Sequence, residues 1–157
     1  MVPIDELEEL AFCQDLAPEH LHLIARVARL EEHPPSTVLF REGHESPYVY
    51  LLLQGEVGLE IELFGEGPVS VQAVEGGELL GWSPVLGLGP MTATARTLTR
   101  CRLAVLDATH LRALSRQDPM FAAEFLRRTA AALAQRLHAT RVELLEARRS
   151  PPASLVP

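Results

Sequence analysis

The chain has 157 residues, of which 47% are hydrophobic, so we expect one domain with a single core rather than a disordered chain. Its formal net charge of −7 disfavours a nucleic-acid partner, which usually selects for a basic face. No apolar run is long enough to span a membrane, and the acidic start with Asp5 and Glu6 argues against a signal peptide, so we expect a cytoplasmic protein.

Two short helices are predicted at the beginning of the chain. Ile4–Phe12 carries its apolar residues on one stripe, which is typical of a helix on a protein surface. Pro18 opens the second helix, since proline is tolerated in a first turn whose N–H groups have no intrahelical partner.

The pattern changes to extended structure from Arg29 to Leu106. Short apolar runs alternate here with glycine turns, and the segment around Val57 alternates strictly between apolar and polar residues. About eight strands of this kind indicate a mainly β protein, specifically a cupin-like β jelly roll with flanking helices. The clearest predicted strands are Tyr48–Leu53, Val57–Leu63, Val69–Val74, Met91–Leu98 and Cys101–Leu106.

Helices are predicted again after the last strand. Asp107 ends that strand, and Thr109 is predicted to cap a short helix from His110 to Leu114. Pro119 begins a long helix that is expected to end near Ala147. We therefore expect a domain over residues 1–147, with its C-terminal helix at about 119–147, and a flexible tail over 148–157, where two prolines interrupt any helix.

The long helix carries an apolar stripe that advances by four and three residues alternately, as in a coiled-coil seam. A second apolar face, which includes Phe125 and Ala132, would pack on the jelly roll, so the stripe is predicted to form a homodimer interface. Arg136 and Glu143 are expected to flank the stripe and to pair between chains at its rim. The predicted interface residues are Leu126, Ala130, Leu133, Leu137, Thr140 and Leu144.

Glycines recur in a defined order along the predicted strands. Gly43 lies in the first turn and Gly55 ends a strand, and both precede the segment Gly77-Glu78-Leu79-Leu80-Gly81. With the helical ending, this series resembles the cyclic-nucleotide-binding domain of catabolite-activator-type regulators over roughly Ile4–Glu146. The resemblance implies a jelly roll with N-terminal helices, a dimer formed by the long C-terminal helix, and a phosphate-binding cassette that begins with Gly77, Glu78, Leu79, Leu80, Gly81.

The chain departs from the family at the residues that would grip a nucleotide. Trp82 stands where the family has the glutamate that binds the ribose, and Met91 precedes Thr92 where the family has an arginine that binds the cyclic phosphate. Losing one partner of such a buried charged pair costs about 2–5 kcal/mol, which is roughly 30-fold to several thousand-fold in affinity. Arg96 lies five residues after Met91, and side chains an odd number of residues apart point to opposite faces of a strand, so Arg96 is expected to face the other side. Cyclic nucleotide is thus possible but disfavoured as a ligand.

Neighbouring residues also favour a less polar ligand. Ser83 and Pro84 form a good helix start, with Ser83 as the cap, but the proline removes one of the N–H groups that could hold an anion. Trp82 either stacks on a ligand or fills the space that the ligand would take. In the family a Thr-Ser pair on the long helix reaches the base, and the matching pair here is Thr140-Arg141.

No residue pattern indicates catalysis or a metal site. Cys13 and Cys101 lie far apart and are expected to be buried thiols. His20 and His22 point to different faces of their predicted helix, and His33 and His44 lack a clear carboxylate partner. We therefore expect no metal, no cofactor and no enzymatic activity.

The sequence favours a homodimeric regulatory or sensor domain with a degenerate phosphate site, which binds a non-standard small ligand or a protein partner. One alternative is a genuine cyclic AMP or cyclic GMP receptor with substitute contacts, such as Arg141. A second alternative is a metal-dependent enzyme of the cupin kind. Direct DNA binding is not expected, because only about ten residues follow the long helix and the family's helix-turn-helix module needs many more.

Overall fold

A computed structural model describes residues 1–149 of the chain. Of the predicted flexible tail over 148–157, residues 148 and 149 are helical instead, and residues 150–157 lie outside the described residues. Five α-helices and one 3-10 turn (Ala11–Cys13) surround eight strands. The helices are α1 (Ile4–Glu8), α2 (Pro18–Val27), α3 (Ser83–Leu86), α4 (Ala108–Gln117) and α5 (Pro119–Arg149). The strands are β1 (Arg29–His33), β2 (Val38–Phe40), β3 (Tyr48–Gln54), β4 (Glu56–Leu63), β5 (Gly67–Glu75), β6 (Leu79–Leu80), β7 (Thr94–Thr97) and β8 (Cys101–Asp107).

The strands form two antiparallel four-stranded sheets. One sheet has the order β1-β8-β3-β6 and the other the order β2-β7-β4-β5. The predicted jelly roll is therefore confirmed, with helices at both ends of the chain.

Strand β3 has no charged or amide side chain from Tyr48 to Leu53, and both faces of this segment are largely buried. Val49 and Leu51 face a cluster formed with the helices, whereas Tyr50 and Leu52 face the space between the two sheets. Strand β6 divides in the same way, since Leu79 joins the helical cluster and Leu80 joins the cluster between the sheets. The cassette therefore has one side outside the jelly roll and one side inside it.

Several predicted boundaries differ from the structure. The first predicted helix is split into α1 and the 3-10 turn, and the strand predicted from Met91 begins only at Thr94. Asp107, not Thr109, caps α4: its carboxylate accepts a hydrogen bond of 2.7 Å from the Thr109 backbone N–H. The long helix continues to Arg149.

Helix α5 is fixed to the N-terminal segment along one face. Phe121 and Phe125 pack there, with the Phe125 ring 5.3 Å from that of Phe12. Arg128 is also buried on this face, where its guanidinium donates to the carbonyl oxygens of Phe12 and Gln14 and to Glu124. These contacts hold the first third of α5 against the N-terminal segment.

Candidate functional site

A small cavity between the sheets, here called the inner pocket, lies beside the segment that the sequence resemblance assigns to ligand binding. Its volume is only about 20 Å³, enough for roughly one water molecule. Of the residues predicted to contact a ligand, Leu80, Gly81, Trp82, Ser83, Met91 and Thr92 line it. The remaining lining comes from Phe40, Leu59, Ala93 and Arg136.

Met91 fills the position from which the family's arginine would reach a phosphate. Its side chain is 4% exposed and packs in the cluster between the sheets. Two backbone hydrogen bonds fix the residue, one from the Gly43 N–H to the Met91 carbonyl and one from the Met91 N–H to the His44 carbonyl. Gly81 lies against it, so closely that an added Cβ would be 3.4 Å from the methionine methyl carbon.

Arg96 does not supply the missing charge. It forms an ion pair of 3.0 Å with Glu60 across β4 and β7, while its neighbours Ala95 and Thr97 are buried. Arg96 therefore faces away from the inner pocket, as its parity predicted.

Helix α3 does not provide an anion-binding terminus. Trp82 is its N-cap residue and makes no side-chain cap hydrogen bond, so the prediction that Ser83 caps the helix is wrong. Ser83 is instead the first helical residue and is buried, because the chain turns inward after Gly81. The four residues of this helix are too few to hold an anion by their N–H groups alone.

A second cavity, here called the outer groove, lies on the other side of the cassette. It has a volume of about 480 Å³ and runs between α5, the 3-10 turn and β5. The predicted ligand residues Gly77, Glu78 and Leu79 line this groove rather than the inner pocket. Its other charged or amide-bearing lining residues are Gln72, Arg127, Arg128, Gln135, Arg136 and Glu143.

Arg136 lines both cavities and separates one from the other. Its guanidinium carbon lies 5.1 Å from the centre of the Trp82 ring, a cation–π contact. One of its amino groups donates to the Leu79 carbonyl oxygen and lies 3.9 Å from the Glu78 carboxylate. Burial lowers the pKa of the Arg136 guanidinium, and burial likewise raises the pKa of the Glu78 carboxyl.

The Arg136 Nε group is buried and finds no acceptor among residues 1–149. A buried donor without an acceptor costs about 1–3 kcal/mol, so this arginine is held at the cassette at an energetic disadvantage. Such a group is a candidate binding residue for a ligand that brings an acceptor.

Sequence analysis placed Arg136 at the rim of the dimer seam, paired with Glu143, and this is wrong. The residue is 9% exposed and faces the jelly roll. The burial of Arg136 was predictable from helical spacing. Arg136 lies eleven residues after Phe125 and four after Ala132, which places all three on the same face of the helix.

The structure places Thr140 and Arg141 on an exposed part of α5, where they line neither the inner pocket nor the outer groove. The Thr140 hydroxyl donates to the Arg136 carbonyl oxygen one turn earlier. Arg136, not this pair, is the residue of α5 that reaches the cassette.

The six predicted seam residues lie along a different side of α5 from the buried face. Leu126, Leu137 and Leu144 are 45%, 51% and 52% exposed, Leu133 is half-buried, and Ala130 and Thr140 are exposed. The single chain therefore leaves the stripe uncovered.

Other predicted features are placed as follows. Cys13 and Cys101 are both buried free thiols, as predicted, and burial raises the pKa of Cys13 to about 11. Residues 1–149 contain no group of three or more His, Cys, Asp or Glu side chains positioned to hold a metal ion. Within the same range, no helix combines the length and apolar character needed to cross a membrane.

Comparison with known proteins defines the class to which this chain belongs. Residues 30–118 match the cyclic nucleotide-binding domain family, and the chain is a member of that family. Domains of this family are typically non-catalytic regulatory domains.

Solved structures agree with this assignment. A candidate cyclic nucleotide-binding protein from Geobacter metallireducens is 26% identical with a TM-score of 0.77, over 88% of this chain and 100% of that one. A cyclic nucleotide-binding domain from Methylobacillus flagellatus has a TM-score of 0.80 at 20% identity, over 98% and 84% of the two chains. The catabolite activator protein of Thermus thermophilus has a TM-score of 0.70 at 26% identity, and the match covers 87% of this chain and 62% of that chain.

One curated relative is a candidate potassium channel protein from Rhodopseudomonas palustris, which is 35% identical over 85 residues. The match covers 54% of this chain and 20% of that protein, so the chain spans about a fifth of its length.

Proposed function

We propose that this chain is a non-enzymatic regulatory domain in which the cyclic nucleotide site has degenerated, and that it responds to a different small ligand or to a protein partner. The observation that carries the proposal is the filled inner pocket, whose volume is about 20 Å³. A cyclic nucleotide needs several hundred Å³ and a cation for its phosphate. Here Met91 and Trp82 occupy the positions of the phosphate and ribose contacts.

The proposal is tested by calorimetric titration of the wild-type protein with cyclic AMP and cyclic GMP. We expect an affinity about 30-fold to several thousand-fold below that of a receptor with the arginine, because the buried phosphate would lack its charged partner. Submicromolar binding of either nucleotide would overturn the proposal in favour of a genuine cyclic nucleotide receptor.

A repair variant tests which contacts are missing. In the double variant Met91→Arg with Trp82→Glu, the arginine would face the phosphate, and the glutamate would lie beside the Arg136 guanidinium that now contacts the Trp82 ring. We expect this variant to bind cyclic AMP measurably more tightly than wild type, because glutamate is smaller than the Trp82 ring that lines the filled pocket and returns part of its volume. No gain would mean that the closed pocket, rather than the two missing contacts, excludes the nucleotide. The matched variant Met91→Leu with Trp82→Phe changes packing without adding charge, and we expect no gain from it.

We further propose that the domain acts as a homodimer through the stripe on α5. The exposed leucines at positions 126, 137 and 144 support this proposal, since a monomer rarely exposes a continuous apolar stripe.

A further inference from the structure

The outer groove has the size and position of a ligand site. Its volume of about 480 Å³ falls in the range of small-molecule pockets, whereas the inner pocket is far below it. Successive residues of an α-helix are about 100° apart, so Gln135 and Ala139, which line the groove, lie on nearly the opposite side of α5 from Leu126 and Leu144. A dimer formed through the leucine stripe therefore leaves the groove open.

Of the three arginines in the groove, two are already committed to other partners. Arg127 and Arg128 both bind Glu124, at 2.6 and 2.7 Å, and Arg128 also donates to two backbone carbonyls. Arg136 has no such carboxylate within hydrogen-bond distance, and its Nε has no acceptor among the described residues. Among the three arginines, Arg136 is thus the one whose guanidinium has no carboxylate at hydrogen-bond distance.

Two carboxylates line the same groove. The nearest oxygen of Glu78 is 3.9 Å from the Arg136 amino group, too far for a hydrogen bond but close enough to share a ligand with it. Glu143 lies seven residues after Arg136 on the same helix, about 10 Å along its axis. Glu78 and Glu143 place negative charge on either side of Arg136, so a ligand that carries positive charge beside a carboxylate can pair with both signs of charge in this part of the groove.

We infer that the outer groove binds a free α-amino acid, with its carboxylate on Arg136, its α-ammonium on Glu78, and a cationic side chain directed to Glu143. The carboxylate and ammonium of an α-amino acid are separated by one carbon atom, which suits two opposite charges 3.9 Å apart. This inference rests on the proposed function, because it names the class of ligand that replaces cyclic nucleotide.

Four related compounds test the three contacts separately in calorimetric titrations of the 157-residue chain. L-Lysine offers all three groups, cadaverine lacks the carboxylate, 6-aminohexanoate lacks the α-ammonium, and L-norleucine lacks the side-chain ammonium. We expect saturable binding of L-lysine and a loss of at least about tenfold for each of the others, since each gives up one charge-assisted contact.

Variants assign the contacts to residues. We expect Arg136→Met, which keeps an apolar chain of similar length, to abolish binding of L-lysine. Glu143→Gln alters an exposed side chain and should not affect folding, and we expect it to bring L-lysine down to the affinity of L-norleucine. Glu45→Gln, an exposed change away from the groove, is the control and should bind L-lysine as wild type does.

The outcomes separate this inference from the proposed function. If L-lysine and L-norleucine both fail to bind while cyclic nucleotides also fail, the amino-acid inference is wrong and the degenerate pocket stands. If L-lysine binds equally well to wild type, to Glu143→Gln and to Arg136→Met, its site is elsewhere and the inference is wrong. Submicromolar binding of cyclic AMP would overturn the proposed function itself.

Discussion

Gly55, between β3 and β4, shows how a single residue can determine a turn. Its φ of +104° is unfavourable for any residue with a side chain, and an added Cβ would lie 2.6 Å from the Arg100 carbonyl oxygen and 2.7 Å from the Cys101 sulfur. We expect Gly55→Ala to lower the free energy of unfolding by roughly 2–5 kcal/mol, from backbone strain and overpacking together. Urea unfolding at equilibrium measures this loss.

Gly65, at the tip of the β4–β5 hairpin, is the matched control. Its φ is +81°, but an added Cβ would have no atom within 4 Å. We expect Gly65→Ala to cost only about 1–2 kcal/mol, from backbone strain alone. Equal losses for both variants would contradict the close contact assigned to Gly55.

Single residues of the cassette were predictable from the sequence where their chemistry differs from the family's. Met91 was recognisable as a departure because methionine cannot pair with a phosphate, and in the structure its side chain is buried between the sheets. Arg136 was missed because charged residues on a long helix usually lie in solvent. Its burial depends on the cassette, which folds against α5 from far away in the sequence.

The contribution of the Asp107 cap to the stability of helix α4 can be measured. The Asp107 carboxylate accepts the Thr109 N–H, and we expect Asp107→Ala to cost about 1 kcal/mol of stability at pH 7. This hydrogen bond lowers the pKa of Asp107 below its usual 3.8, so the stabilisation is present above that pH and is lost as the pH falls through the lowered value.

Urea unfolding of wild type and Asp107→Ala at pH 7 and pH 3 measures both effects. The difference between the two proteins should be largest at pH 7 and smaller at pH 3. Thr109→Ala keeps the backbone N–H that Asp107 accepts and removes only the weaker contact of the hydroxyl, so it should change stability by no more than about 0.5 kcal/mol at pH 7. A larger effect from Thr109 than from Asp107 would reverse the assignment.

Elements were predictable where one local pattern dominates. Helix α2 begins at Pro18 as predicted, and β3 is recognisable because its two buried faces make it continuously apolar. The strand expected from Met91 begins three residues later, because Met91 is held by backbone hydrogen bonds to the turn at Gly43 and His44 instead of by a neighbouring strand. Hydrophobicity alone does not distinguish these two arrangements.

On the scale of the whole molecule, α5 has two apolar faces. Phe121, Phe125 and Arg136 hold one face against the rest of the domain, and the leucine stripe on the other face is exposed, where we propose that a second chain binds. These leucines are about half exposed in the single chain, so a dimer would bury about half of each side chain, which contributes roughly 0.7–1.5 kcal/mol per leucine in favour of association. Sequence periodicity predicted the stripe, because it depends only on spacing within the helix.

The proposed dimer is tested by placing charge on the stripe. We expect wild type to sediment as a dimer at tens of micromolar, and Leu137→Glu with Leu144→Glu to sediment as a folded monomer. Both leucines are about half exposed in the single chain, so their replacement should not disturb the fold, while four glutamates would meet at the axis. The matched variant Val142→Glu with Leu145→Glu adds the same charge on another side of α5 and should remain a dimer. If wild type is monomeric at this concentration, or if both variants dissociate alike, the stripe is not the interface.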